Sequence, residues 1–359
     1  DAGMKYAVMI TKHHDGFCLF DSKLTDFKAP AYCGRDLIRE FVDAFRAEGL
    51  RVGLYYSLID WHHPDFPKYS DPNHPMRGNP AYQNEQIEFD RYLAYMHGQV
   101  EELVTNYGKI DILWFDFAYG ELRGEAWKAT ELMKIVRSHQ PDVIVDNRLE
   151  ASGESFGSLV TESPAYYSGD FVSPEQLLPP EGIRNVRGER VPWELCATMN
   201  NNWGYVPYDT TYKPASMLIR KLVECVSKGG NMILNVGPDA TGRFPAQSCR
   251  LLDEIGAWMA LNGESIYGCG SADVPKPAAP VNVFTSFTVT VNPSGAPSFV
   301  GSSEKEYCVL AMHTGHPAKP RRVSRSICFF AAGSTVMSRP RYTRCTTARI
   351  LSSMPLSAG

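Results

Sequence analysis

The nonapeptide KIDILWFDF, residues 109–117, is apolar almost without a break from Ile110 to Phe115. That is the pattern of a strand in a parallel sheet covered by helices. Asp116 closes the run, and a carboxylate at such a place needs a reason, because burying an unpaired charge is costly. One reason is a cap on the turn into the helix expected near Glu125. The other is catalytic: in a barrel of alternating strands and helices, this end of a strand opens into the active-site mouth.

The same alternation repeats on either side of this run. Strand-like runs stand at 6–11 (YAVMIT), 51–57 (RVGLYYS), 110–116, 143–147 (VIVDN), 192–199 (PWELCATM) and 231–236 (NMILNV). Helical periodicity follows at 36–48, 84–107, 125–139, 214–228 and 246–261, and a Gly/Ser/Pro-rich loop follows VIVDN. Six strands in order, five of them followed by a helix, predict an α/β chain with a parallel sheet. A doubly wound sheet would carry a glycine fingerprint after its first strand, and none stands there. Polar and aromatic residues gather after the strands instead, as in a (β/α)8-like barrel. Eight strands are needed and six are visible, so the first two are expected upstream of Asp1.

Three segments are expected: a barrel over 1–268, the start of a C-terminal β-sandwich over 269–306, and an atypical tail over 307–359. The sandwich rests on the alternating run VNVFTSFTVTVN at 281–292. The tail is basic, without Asp or Glu, and rich in Ser, Thr and Pro. It reads as a nucleic-acid or membrane tail, or, better, as a frameshifted or read-through end.

The 359 residues contain 43% hydrophobic and 11% aromatic side chains, which suits a large core and argues against a disordered chain. A net charge of −4 gives no sign of a nucleic-acid partner, and no apolar run is long enough to span a membrane. The nine cysteines show no CxxC or Cys/His metal spacing.

Chemistry-bearing residues cluster after the strands. His13 and His14 follow the first, in TKHHDGF, without the Asp, Glu or His companions that a metal site needs. They suit hydrogen bonding to a polyhydroxylated ligand, since imidazole donates from one nitrogen and accepts at the other. Tyr55 and Tyr56 end the second strand, with Trp61, His62 and His63 behind them, and Trp114 precedes Asp116. Arg148 follows the fourth strand and can pair with a carboxylate. Glu175, in the loop GDFVSPEQ, is either a helix-initiating turn residue or a second carboxylate on a mobile loop. A carboxylate on a strand end and another on a loop suit glycoside hydrolysis, in which one attacks the anomeric carbon and the other protonates the leaving oxygen.

Taken together, KHHDGFCLFDSKLTDF, GLYYS, DILWFD, WELCATMNNNWGY, VSKGGNMILNVGPDATG and LNGESIYG resemble the α-L-fucosidases of glycoside hydrolase family 29 over residues 1–268. The resemblance implies retaining hydrolysis of terminal α-L-fucose from fucosylated glycans, without cofactor or metal. It places the nucleophile on Asp116 and the acid/base on Glu175, with Glu154 and Glu162 as rivals in the same variable loop. Fucose contacts fall on His13, His14, Tyr56 (or Tyr55), Trp114, Arg148 and Trp203. A secreted, periplasmic or lysosomal setting follows from the same likeness. The family's opening strand, with a further sugar-binding histidine and a nearby tryptophan, has no counterpart here, so this chain is expected to be weakly stable and poorly active. An inactive fragment or a non-catalytic fucose-binding protein is the alternative, and another glycosidase on the same barrel is a third reading.

Overall fold

The computed structural model describes residues 2–271, 288–291 and 297–300. The tail expected over 307–359 and most of the expected sandwich lie outside these residues. The described residues fall into two compact units: one of residues 4–179 and 183–196, the other of 2–3, 180–182 and the described residues from 197 on. The single barrel expected over 1–268 therefore falls across both.

In the first unit, β1 (Tyr6–Lys12) is followed by α1 (Ala29–Cys33) and α2 (Leu37–Ala47). Then come β2 (Arg51–Ser57), α3 (Phe89–Asn106), β3 (Ile112–Asp116), α4 (Ala129–His139) and β4 (Ile144–Val145). The helix α2 starts where the Asp36 carboxylate accepts the Arg39 N–H at 2.9 Å. It ends ahead of Gly49, whose φ of 72° suits a residue without a Cβ. Strands β1 to β4 form one parallel sheet in chain order. Val52, Leu54, Tyr56, Leu113 and Phe115 from the sheet share a core with Ile38 and Val42 of α2, Met96 and Val100 of α3, and Leu132 and Val136 of α4. Alternation along each strand puts these residues on one face and leaves Tyr55, Trp114 and Asp116 on the other.

The segment expected as a mobile loop is different. Beyond β4 the sheet continues through parallel bridges, Asp146 to Phe171, Val172 to Trp193 and Glu175 to Cys196. Gly169 and Pro174 disguise this segment as a loop in sequence. Its extended form comes from pairing with chain far away in sequence, a tertiary effect that overrides local preference.

The strand β5 (Glu194–Thr198) crosses from the first unit into the second. The second unit then contains α5 (Ala215–Ser227), β6 (Asn231–Asn235) and α6 (Ala246–Asn262). Met199, Leu218, Ile219, Leu251, Ile255 and Met259 form its core. The short strands β7 (Thr288–Val291) and β8 (Pro297–Val300) pair antiparallel.

Candidate active site

Parallel register places Tyr55 beside Trp114 and Ser57 beside Asp116. Since side chains two apart share a face, Trp114 and Asp116 project together with Tyr55. The Tyr55 hydroxyl donates to Asp116 Oδ2 at 2.9 Å, and its ring stacks between His13 at 5.7 Å and Trp114 at 5.6 Å. Burial pushes the phenol pKa well up, and the Asp116 charge adds to this, so Tyr55 stays a donor.

Arg148 is the hub. Its side chain is almost wholly buried, with Nη1 donating to Asp116 Oδ1 at 2.8 Å and Nη2 to Glu175 Oε2 at 3.2 Å and the Ser173 carbonyl at 3.1 Å. The guanidinium also lies 4.8 Å from the Trp114 ring centre. Burial works against its charge, yet the acidic groups around it, Asp116 foremost, raise its pKa above the ordinary arginine value. Glu175 is held from behind as well, its N–H donating to the Gly153 carbonyl at 3.0 Å. A Cβ on Gly153 would meet Arg148 Nη2 at 2.7 Å and Glu175 Oε2 at 2.8 Å, so this close approach requires glycine.

His13 and His14 lie past the end of β1, where the chain turns, so both rings gather on one side with centroids 3.8 Å apart. His14 packs on Trp61 at 4.0 Å, and the Phe117 ring meets both histidines edge-on. Burial, aided in His13 by Lys12 and in His14 by His13, lowers each pKa to about 4, so both are neutral near pH 7. Phe117 and Gln176, the residues directly after Asp116 and Glu175, have φ of 75° and 59°, left-handed values unusual outside glycine. Strain of this kind concentrates at functional sites.

The structure thus gathers His13, His14, Trp114, Asp116, Arg148 and Glu175. Tyr56 is the exception and a correction. It faces the helices, its hydroxyl donates to Gln99 Oε1 at 2.8 Å, and its place in the site belongs to Tyr55. Glu154 and Glu162 are exposed, without the contacts to Arg148 that Glu175 makes. Trp203 belongs to the second unit and is partly exposed.

Two supports had no sequence signal. Lys12 and Asp60, both buried, pair at 3.2 Å, and Asp60 Oδ1 also accepts the N–H groups of His62 and His63 at 2.9 Å. This anchors the turn bearing His13 and His14 to the loop bearing Trp61, across 48 residues of sequence. Asp146 is the second, buried behind Arg148. Among the described residues, no three His, Cys, Asp or Glu side chains gather as metal ligands, and no helix is long and apolar enough to cross a membrane.

The alpha-L-fucosidase family model matches residues 1–264. An alpha-L-fucosidase of Dictyostelium discoideum is 31% identical over 275 residues, 74% of this chain and 53% of that protein. The human plasma alpha-L-fucosidase is 30% identical over 275 residues, 74% of this chain and 52% of its own. The chain spans about half the length of these curated relatives. Among solved structures, alpha-L-fucosidase isoenzyme 1 from Paenibacillus thiaminolyticus is 60% identical with a TM-score of 0.74, over 77% of this chain and 65% of that one. The alpha-L-fucosidase AlfC from Lactobacillus casei, solved with its alpha-L-fucose product, is 29% identical with a TM-score of 0.61, over 73% and 77% of the two chains.

Proposed function

Because this chain belongs to the alpha-L-fucosidase family, we propose that it is the catalytic part of a retaining exo-glycosidase that removes terminal α-L-fucose from fucosylated glycans. The observation that carries this reading is the single Arg148 guanidinium joined to both Asp116 and Glu175. A retaining pair works at a separation of roughly 5–5.5 Å, and one guanidinium shared by two carboxylates suits that close spacing.

In this mechanism Asp116 attacks the anomeric carbon of the bound fucose while Glu175 gives its proton to the glycosidic oxygen. The C–O bond to the leaving sugar breaks and a fucosyl ester forms on Asp116. Glu175 then takes a proton from water, which attacks the same carbon and releases fucose with its configuration retained. Tyr55 and Arg148 hold each one oxygen of Asp116, so the nucleophile is oriented before the substrate arrives. Neutral His13 and His14 donate and accept hydrogen bonds with sugar hydroxyls. His14 Nδ1 and Trp114 Nε1 are buried without a hydrogen-bond partner among the described residues, which a hydroxyl-rich ligand would remedy. We place these residues in a (β/α)8-like barrel, to which the parallel sheet and its bridged continuation are suited.

The test is labelling with a 2-fluoro-fucosyl fluoride followed by peptide mass spectrometry, beside hydrolysis of an aryl α-L-fucoside. Trapping reads single events and so works for a slow chain. An ester on Asp116, absent in Asp116→Ala, is expected. A folded chain that takes label elsewhere, or releases inverted fucose, would overturn the mechanism.

A further inference from the structure

Strand β4 is paired with β3 over only two residues, Ile144 with Ile112 and Val145 with Leu113. The ladder's next step begins normally, with the Asp146 N–H donating to the Leu113 carbonyl at 3.3 Å. In a parallel ladder the Phe115 N–H would then donate to the Asp146 backbone carbonyl. It donates instead to the Asp146 side chain, Oδ1, at 3.0 Å. That same oxygen lies 3.4 Å from the Arg148 N–H. The backbone carbonyl of Asp146 has turned away and lies against Gly169, where no Cβ would fit.

One carboxyl group therefore touches the backbone on both sides of the candidate ion pair. Phe115 lies between Trp114 and Asp116, and the second contact is to Arg148 itself. Asp146 is fully buried, and its Oδ2 has no hydrogen-bond partner among the described residues. Burial also pushes its carboxyl well above the usual carboxylate range, with Arg148 opposing, which favours a neutral group.

We propose that Asp146 is a positioning residue for the Asp116–Arg148 pair, its side-chain oxygen standing in for a strand carbonyl so that the chain turns inward and Arg148 reaches both carboxylates. What the site needs from position 146 is a side-chain acceptor oxygen of the right reach. This inference rests on the proposed hydrolase reading for its kinetic test but not for its structural one.

The experiment compares Asp146→Asn and Asp146→Ala in aryl α-L-fucoside hydrolysis, with thermal melts as the folding control. Asn keeps an acceptor oxygen and carries no charge, so its kcat is expected within about threefold of the parent chain, whereas Ala lets Arg148 drift and lowers kcat by roughly 10²-fold with KM little changed. A folded Asn variant that loses as much kcat as Ala, or an Ala variant with parental kcat, would overturn the proposal. If Ala does not fold, the Asn variant decides alone, parental kcat supporting the proposal and a tenfold or greater loss overturning it. Should the parent chain ignore fucosides, the functional reading fails by itself. The crystal structure of a folded 146 variant then decides: the 2.8 Å contact of Arg148 Nη1 with Asp116 must survive in Asn and break in Ala.

Discussion

Tyr55 and Tyr56 are neighbours on β2, yet the hydroxyl of Tyr55 donates to Asp116 at 2.9 Å and that of Tyr56 to Gln99 at 2.8 Å, on opposite faces of the sheet. The two phenols should therefore fail differently. Tyr55→Phe removes one of two donors to the candidate nucleophile and is expected to lower kcat about tenfold or more with an unchanged melt. Tyr56→Phe leaves an acceptor of buried Gln99 unpaired and should cost about 1–3 kcal/mol of stability with kcat preserved. Steady-state kinetics beside urea unfolding reads both; parental kcat in Tyr55→Phe would remove Tyr55 from the site.

Gly153 offers a test of Glu175 that leaves every charged residue in place. The Gly153→Ala methyl would press on Glu175 and on Arg148 Nη2. It is expected to lower kcat by about 10- to 100-fold, because small displacements of reacting groups are that costly. Unchanged turnover would show that Glu175 is not the acid/base.

The neutral histidines make stability depend on pH. Folding lowers His13 and His14 from the ordinary 6.5 to about 4, so the unfolded chain binds more protons between those values. Their contribution is fully present above pH 6.5 and is lost as pH falls through the folded values near 4. His63, lowered in the same direction by burial, adds to the slope. Melting temperatures measured from pH 7.5 to 4 should fall, and His13→Asn/His14→Gln should flatten part of that fall. An identical slope in the double variant would exclude the histidines as its source.

The Lys12–Asp60 pair, which anchors the turn bearing His13 and His14, predicts a stability loss. Asp60→Ala leaves the Lys12 ammonium buried without its partner and frees the N–H groups of His62 and His63. Denaturant unfolding should show a loss of about 3–5 kcal/mol, the range for breaking a buried pair from one side. A loss below about 1 kcal/mol, the scale of a surface pair, would contradict the burial.

Much of this architecture is legible in the residues alone. The apolar run 110–115 announces β3, RVGLYYS announces β2 over 51–57, and the helical periods at 214–228 and 246–261 announce α5 and α6. Such patterns are local: period and end signals act within a few residues, so the sequence determines them unaided. It also determined that Tyr55 and Tyr56 face opposite ways, because strand side chains alternate. Which of them faces the site was decided only when α3 brought Gln99 to one side of the sheet and β3 brought Asp116 to the other. Likewise Phe171–Glu175 is extended because Trp193 and Cys196 pair with it, and Lys12 is tolerated inside because Asp60 meets it. Arg148 binds Asp116 across 32 residues and Glu175 across 27. A charge can be buried only where a distant partner compensates it, and that compensation exists in the folded chain alone.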